Sequence, residues 1–369
     1  MPNRAARLIV PATLAIFAAS PALAAPNVVA SIKPIHSLVA AVMDGVGEPG
    51  LLVQGAASPH SFSLRPSDAA KLEAANIVFW IGADLETFLP GPLASLAGDA
   101  QVVELMDVEG MTILDMREGG LFEPHSHDHG DHDHDHDHDH DHDHDHDHDH
   151  DHDHDHDHDH GHDHDDDHGH EAHDHDDHGH DEHGHSHDHE HDHHHDHDHG
   201  DAHIWLDTQN ARLMVAAIAD TLMAADPENA ETYNENGQAL VARLSELEDE
   251  IAESLDGARG RPFFVFHDAY HYFENRFDIE ATGTFTVNPE VAPGAARLTE
   301  IRERVQAEEA VCLFAEPQFS PAVVETIADG TDARLGVLDP LGADIEDGPE
   351  LYFTLMRNLA QSLSDCLGQ

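Results

Sequence analysis

The sequence predicts an α/β protein: two parallel-sheet lobes joined by one long helix, with a disordered His/Asp-rich loop in the N-terminal lobe. Three observations support this fold class. Short apolar runs alternate with helical patterns in both halves of the chain. A helical pattern longer than any other separates these halves at 227–257. A His/Asp repeat with almost no apolar side chain interrupts the first half at 125–199.

Residues 1–24 match a signal peptide. Arg4 and Arg7 form a basic start, 8–19 is apolar, and Ala-Leu-Ala at 22–24 is the small-residue pattern expected before a cleavage site. The apolar run is too short to favour a membrane anchor, and no cysteine follows the cleavage site to carry a lipid. We therefore expect a periplasmic protein that begins near Ala25 and is not a lipoprotein.

The N-terminal lobe is expected at 25–226. Three β-rich runs predict its strands: 27–32, 77–81 and 102–105. A helical pattern opens at Ser67 and Asp68, and Thr208 is the predicted cap of a helix over 208–222. Strands that alternate with helices indicate a parallel sheet.

The His/Asp tract at 125–199 contains 36 His, 31 Asp or Glu, and no Lys or Arg. Of the 76 acidic residues in the chain, 45 therefore lie elsewhere against 16 basic ones, a net charge of −29 outside the tract. Such an acidic chain disfavours nucleic acid and anionic lipid as partners. Since the tract cannot bury a core, we expect a disordered surface loop.

A linker helix is predicted over 227–257, with Pro227 at its first position; at 1.5 Å per residue it would be roughly 45 Å long. The C-terminal lobe is expected at 258–369. Its strand candidates are 262–266, 310–314 and 335–338. They lead into His267, Glu316 and Asp339, and open α/β sheets bind ligands at the carboxyl ends of their strands.

The chain has two cysteines, Cys312 and Cys366. In an oxidising compartment such a pair predicts a disulfide, which would stabilise the fold by roughly 4 kcal/mol on the chain-entropy model. The alternative is that both thiolates bind a metal ion.

Outside the tract the chain has five histidines: His36, His60, His203, His267 and His271. A single histidine in a globular domain is more often structural than a metal ligand. However, His60, His203 and His267 each lie at an expected strand end or loop in a different segment. Three imidazoles and a carboxylate would form a tetrahedral site that suits Zn²⁺. Their wide spacing carries little specificity, because only the fold could bring them together.

Several motifs occur in a specific order along the chain. They are GAASPH at 55–60, SLRPSD at 63–68, HIWL at 203–206, FVFHDAY at 264–270, FAEPQF at 314–319 and LDPLG at 338–342. Together they resemble the zinc-binding solute-binding proteins of bacterial high-affinity zinc ABC importers, the ZnuA group. A charged His-rich loop at this position is also typical of that group, and the resemblance covers essentially the whole mature chain outside the tract.

The resemblance implies that His60, His203 and His267 are metal ligands and that Asp339 is the acidic ligand of the C-terminal lobe. It implies that Glu316 supports a ligand or a helix start rather than binding the metal. Pro59 stands where some relatives have an acidic residue beside the first ligand. A carboxylate from that position is therefore missing, which favours Asp339 or a water molecule as the remaining ligand.

Manganese-binding relatives typically have a glutamate at the position of His267, so an imidazole there favours zinc. Cobalt, nickel and copper also accept imidazole. His271, four residues after His267, is expected to lie at the surface or the entrance of the site, with direct ligation as the alternative. His36 is expected to be structural, near the N-lobe part of the site.

The resemblance implies a monomeric solute-binding protein that captures Zn²⁺ between its lobes and delivers it to a membrane ABC permease. An accessory periplasmic zinc chaperone is a further candidate partner. An extracytoplasmic metal buffer, or an importer component for manganese or another divalent transition metal, remains an alternative. A zinc enzyme is disfavoured, because the sequence outside the tract has no HExxH motif and no nucleophile elbow. The tract is expected to bind several zinc ions weakly, as a reservoir, feeder or sensor, rather than to be a loop without a role.

Overall fold

The computed structural model describes residues 25–117, 122, 200–286, 289 and 293–368. The predictions of a signal peptide at 1–24 and of a disordered tract at 125–199 fall outside the described residues. All described residues belong to one structural unit. Among them, no helix has both the length and the hydropathy that crossing a bilayer requires.

Residues 25–117 of the N-terminal lobe form four strands and three helices. In chain order they are β1 (Val28–Ala30), α1 (Lys33–Val42), β2 (Gly50–Leu51), α2 (Pro66–Ala74), β3 (Ile77–Trp80), α3 (Pro90–Leu96) and β4 (Gln101–Glu104). The strands form a parallel sheet in the order β2-β1-β3-β4. β1 and β3 lie at its centre and are buried throughout, which explains why their sequences are apolar without alternation.

Two long helices follow the N-terminal sheet. A short 3₁₀ helix (Ile204–Leu206) leads into α4 (Thr208–Ala225), and α5 (Ala230–Ser254) comes next. Asp207, not the predicted Thr208, caps α4, since its carboxylate accepts a hydrogen bond from the Gln209 N–H at 2.6 Å. Gly237 of α5 allows close packing on α4, because a Cβ there would lie 3.1 Å from that of Ala219.

The linker helix starts later than predicted. Residues 227–229 form a turn, in which the Asp226 carboxylate accepts hydrogen bonds from the Asn229 amide at 2.7 Å and the Tyr233 hydroxyl at 3.0 Å. These contacts hold the chain outside the helix until Ala230. The 25 residues of α5 therefore span about 37 Å at 1.5 Å per residue.

The C-terminal lobe repeats the topology of the N-terminal sheet. Its elements are β5 (Phe263–Val265), α6 (His271–Phe277), β6 (Gly283–Thr284), α7 (Ala295–Ala307), β7 (Cys312–Ala315), α8 (Ala322–Ala328), β8 (Arg334–Val337) and α9 (Leu351–Leu367). The strands are parallel in the order β6-β5-β7-β8. Both lobes therefore have the predicted parallel-sheet architecture, and each presents loops at the carboxyl ends of its strands.

One hydrophobic core extends through both lobes. It includes Ile35 of α1, Leu244 of α5 and Leu359 of α9. Successive side chains of each strand point alternately into this core and into a smaller one on the other face of the sheet. Val28 and Val29 show this in the N-terminal lobe. Because the inner faces of both sheets share one core, a wide separation of the lobes would expose buried apolar surface to water.

The predicted disulfide is confirmed. Cys312 in β7 is bonded to Cys366 in α9, with their Cα atoms 6.1 Å apart, so neither sulfur is a free thiolate that could bind a metal ion. The bond connects a strand of the C-terminal sheet to a helix of the shared core.

A buried carboxyl group connects the ends of β1 and β3. Glu86 accepts a hydrogen bond from the Ser31 hydroxyl and others from the N–H groups of Ile81 at 3.2 Å and Gly82 at 3.0 Å. Burial raises the pKa of Glu86 to about 7, although these hydrogen bonds lower it.

This raised pKa predicts that stability falls with pH. Unfolding returns the pKa of Glu86 to 4.5, so between these values the folded state holds a proton that the unfolded state releases. The contribution is complete below pH 4.5 and is lost, by about 3 kcal/mol, as the pH rises through about 7. Denaturant unfolding from pH 4 to 8 should show the free energy of wild type falling by this amount relative to Glu86→Gln. A difference that does not change with pH would contradict the prediction.

Candidate metal site

Three histidines from separate segments meet between the lobes. His60 lies in the loop after β2, His203 immediately before the 3₁₀ helix, and His267 two residues after β5. One ring nitrogen of each lies within 4.8 Å of a ring nitrogen of the others, and the ring centroids are 5.3 to 5.8 Å apart. Within the described ranges, no other group of three His, Cys, Asp or Glu side chains has this geometry.

The sheet register places Glu316 beside His267. β5 and β7 are parallel, with Phe263 opposite Cys312 and Phe264 opposite Leu313. The same register, continued past the strand ends, brings His267 opposite Glu316. The Glu316 carboxylate lies 2.8 Å from His267 Nδ1 and accepts a hydrogen bond from the His267 N–H at 3.3 Å.

A second carboxylate, Asp201, supports His203 in the same way. Its Oδ1 atom lies 2.7 Å from His203 Nδ1 and accepts a hydrogen bond from the His203 N–H at 3.0 Å. A carboxylate on Nδ1 fixes the ring orientation and leaves Nε2 to bind a metal ion. His267 Nε2 is indeed buried and has no hydrogen-bond partner among the described atoms.

The electrostatic environment keeps the third imidazole neutral. Burial, together with the neighbouring His203 and His267, lowers the pKa of His60 to about 2. For His267, burial lowers the pKa, but the Glu316 carboxylate outweighs this and raises it above its usual value. No described carboxylate holds the His60 ring, and the backbone N–H of His60 donates a hydrogen bond to Ser58 Oγ. His60 is therefore a neutral imidazole that is held less firmly than the other two.

The imidazoles border a cavity of about 10 Å³, which is about the size of one water molecule or ion. Apolar side chains form much of the remaining wall, including Pro59, Phe319 and Leu341. A small ion fits this space, whereas an organic substrate does not.

Asp339 is not part of the three-histidine group. Its carboxylate accepts four hydrogen bonds, from the side chain of Gln318 at 2.8 Å and from the N–H groups of Leu341 at 3.0 Å, Gly342 at 2.9 Å and Ala343 at 2.6 Å. Both carboxylate oxygens therefore organise the loop that carries Pro340 and Leu341, which line the cavity. Metal binding by Asp339 stays a prediction.

The two remaining histidines also lie outside the group. His271 begins α6, and its Nδ1 atom is 4.0 Å from the second oxygen of Asp201. It lines a separate cavity of about 740 Å³. His36 lies in α1, with Nε2 3.1 Å from the Pro49 carbonyl oxygen. Two of the three grouped histidines thus precede α5 and one follows it.

Sequence reasoning missed Asp201. Asp201 comes two residues after the end of the tract and looks like one more of its acidic residues. The signal that separates them is Ile204-Trp205-Leu206, the apolar run that follows His203 and is fully buried.

Replacing Glu316 by glutamine should weaken Zn²⁺ binding by about 10- to 100-fold, because the His267 ring would lose its charged partner. Competition with a chelator of known affinity measures this loss. Glu325→Gln is a matched control, since Glu325 is an exposed residue of α8 and should leave the affinity unchanged. Equal affinities for both variants would contradict a supporting role for Glu316.

Comparison with known proteins places these features in a family. Residues 28–366 match the family model described as ZnuA, zinc-uptake complex component A, periplasmic. The chain is 49% identical over 343 residues to the high-affinity zinc uptake system protein ZnuA of Brucella suis, an alignment that covers 93% of this chain and 92% of that protein.

Two solved structures share the fold. A crystal structure of ZnuA has a TM-score of 0.64 at 20% identity and covers 93% of this chain and 99% of its own. The solute-binding protein FpvC from Pseudomonas aeruginosa, in complex with Mn²⁺, has a TM-score of 0.64 at 16% identity and covers 93% and 98%. At such identities these likenesses show the fold and not the metal. The family match, by contrast, spans both lobes and all three histidines, and the chain belongs to the ZnuA family of periplasmic zinc-uptake components.

Proposed function

We propose that this chain is the periplasmic binding protein of a zinc ABC importer. It captures one Zn²⁺ ion at His60, His203 and His267 and delivers it to a membrane permease. The observation that carries this proposal is the convergence of three imidazoles, two of them held by carboxylates, around an ion-sized cavity. Neutral imidazoles suit Zn²⁺ better than they suit hard cations. The fourth coordination position falls to Asp339 or to a water molecule.

The shape of the cavity favours a carrier over a zinc enzyme. A catalytic zinc ion keeps one position open to substrate and has a general base nearby. Here the space beside the histidines is about the size of one ion, and apolar side chains such as Phe319 and Leu341 line it. The chain is therefore proposed to bind and release the ion without chemistry, as a monomer from which the signal peptide has been removed.

Release is proposed to need only small movements. The shared core opposes wide separation of the lobes, so docking on the permease would act by tilting one lobe slightly or by shifting the loop that carries His60. His60 is the natural first ligand to leave, because no described carboxylate holds its ring.

The His/Asp tract is proposed to gather zinc for the site. The residues that flank it lie together, since Asp115 pairs with Gly200 and the Asp201 N–H donates to the Leu114 carbonyl oxygen at 2.8 Å. Asp201 in turn holds His203. The tract therefore leaves and rejoins the folded unit beside one of the three histidines.

Isothermal titration with Zn²⁺ tests both roles. Because the flanking residues are paired, a short linker can replace 125–199 without separating them. The shortened protein should bind fewer ions in total and keep one tight site, and adding His203→Ala should weaken that site strongly. A shortened protein without a tight site would refute the assignment of the three histidines.

Two further measurements address the alternatives. A strain that lacks an importer component grows poorly when zinc is scarce, whereas loss of a buffer is harmful mainly when zinc is in excess. Titration of the shortened protein with Mn²⁺ should show much weaker binding than with Zn²⁺. Tighter binding of Mn²⁺ would favour the manganese alternative.

A further inference from the structure

One of the two lysines of the chain, Lys33, is buried at the interface between the lobes. It is the first residue of α1 and is 4% exposed. Its ammonium group donates hydrogen bonds to the carbonyl oxygens of Ala343 at 3.2 Å and Ile345 at 2.7 Å and lies 3.2 Å from the Asp347 carboxylate. All three partners belong to the C-terminal lobe, so this one group connects the two lobes.

The partners of Lys33 belong to the segment 339–347, here termed the wall loop because Pro340 and Leu341 line the metal cavity. Asp339 organises its first half, and Gly342 has a φ of 73°, a conformation that favours glycine. Trp205, two residues after His203, donates a hydrogen bond from Nε1 to the Pro340 carbonyl oxygen at 2.8 Å. The wall loop is therefore held at two points, by Trp205 beside the cavity and by Lys33 at its other end.

Because the Lys33 ammonium group is buried, its stability depends on where its three partners lie. An ammonium group out of water is unfavourable unless hydrogen bonds and opposite charge compensate it. The wall loop supplies two carbonyl oxygens and a carboxylate only when the lobes adopt their present relative position. The ammonium group therefore favours the arrangement in which His267 lies beside His60 and His203.

We propose that Lys33 is a positioning residue for metal capture, which holds the wall loop and the C-terminal lobe where the three imidazoles meet. This inference rests on the proposed zinc-binding function. A metal ion at the three histidines also joins the lobes, since His60 and His203 precede α5 and His267 follows it. Metal binding and the Lys33 contacts favour the same arrangement of the lobes, so each strengthens the other, and this coupling is reciprocal. Lys33 thus slows metal release, and bound metal shields Lys33.

Release kinetics test whether Lys33 slows the loss of metal. Zn²⁺ leaving the full mature chain for excess chelator should show a slow phase from the three-histidine site. Lys33→Met keeps the apolar stem and removes the charge, and should make this phase at least about tenfold faster, as expected for lost hydrogen bonds to a charged group. Lys71→Met is the matched control. Lys71 bonds within its own lobe, to Leu51 O at 2.6 Å and Asp68 Oδ1 at 3.3 Å, so its loss should change the slow phase by less than about twofold.

Acetylation of the wild-type lysines tests whether bound metal shields Lys33, and it needs no variant. Mass spectrometry gives the labelling rate of Lys33 and Lys71 with and without Zn²⁺. Zinc should slow the labelling of Lys33 severalfold and leave that of Lys71 unchanged. This measurement remains decisive even if Lys33→Met does not fold.

The inference is overturned if folded Lys33→Met releases zinc at the wild-type rate, or if zinc leaves the labelling of Lys33 unchanged. Failure of the proposed function has a different signature, because the wild-type protein would then show no slow phase of zinc release at all.

Discussion

Replacing His203 by alanine is expected to weaken Zn²⁺ binding at the three-histidine site by about 3–4 kcal/mol, a loss of a few hundredfold in affinity. Zinc sites with four protein ligands contribute roughly 10–16 kcal/mol, so each ligand accounts for a share of this size. Loss of His203 also leaves the buried Asp201 without the ring at 2.7 Å that it now holds. Competition with a fluorescent chelator, in protein that lacks 125–199, measures the affinity of this site alone.

His60→Ala should cause a loss of similar size, and His271→Ala provides the control. His271 lies 4.0 Å from the same Asp201 carboxylate but is not one of the three grouped histidines. Its removal should change the affinity by less than about fivefold, as for a weak ion pair. Wild-type affinity in both His60→Ala and His203→Ala would show that zinc binds elsewhere.

Removal of the disulfide has an expected effect of similar size, on stability rather than on binding. Replacing Cys312 and Cys366 together by alanine should lower the free energy of unfolding by about 4 kcal/mol, because the bond closes a long loop in the unfolded chain. The sequence separation of the two cysteines is 54 residues. Urea unfolding of the double variant and of wild type gives the difference directly.

Reduction of the wild-type protein is the matched control for this measurement. The reduced wild type and the double variant should unfold at similar urea concentrations, because neither has the cross-link. A difference below about 1 kcal/mol between the oxidised wild type and the variant would mean that the unfolded chain gains little freedom when the bond is absent.

The central strands were predictable because their residues are apolar and β-rich. The edge strands β2 and β6 were not, since each has only two residues, Gly50–Leu51 and Gly283–Thr284, too few for any periodicity to appear. Helix starts were predicted within a few residues. The side chain of Asp226 accepts hydrogen bonds that hold 227–229 in a turn, a local competition that the favourable position of Pro227 does not reveal.

For the site, the sequence showed which residue types could bind a metal ion, but not which side chains would contact one another. His60, His203 and His267 could be chosen only through a family resemblance, because tertiary folding alone brings such distant residues together. The pairing of His267 with Glu316 follows from the register of β5 on β7, which no sequence pattern specifies. Asp339 comes next to the cavity as its position after a strand suggests, yet the backbone N–H groups of its own loop take up its carboxylate.

The two carboxylates behind the histidines also bear on which ions the cavity accepts. Asp201 and Glu316 are 2% and 3% exposed, and an imidazole that binds a metal ion is neutral and adds no charge. With a water molecule as the fourth ligand, a divalent ion would balance the two buried carboxylates, whereas a monovalent or trivalent ion would leave an uncompensated charge in surroundings of low dielectric constant. Such a site would select ions by valence, before the softness of its ligands distinguishes zinc from other divalent ions.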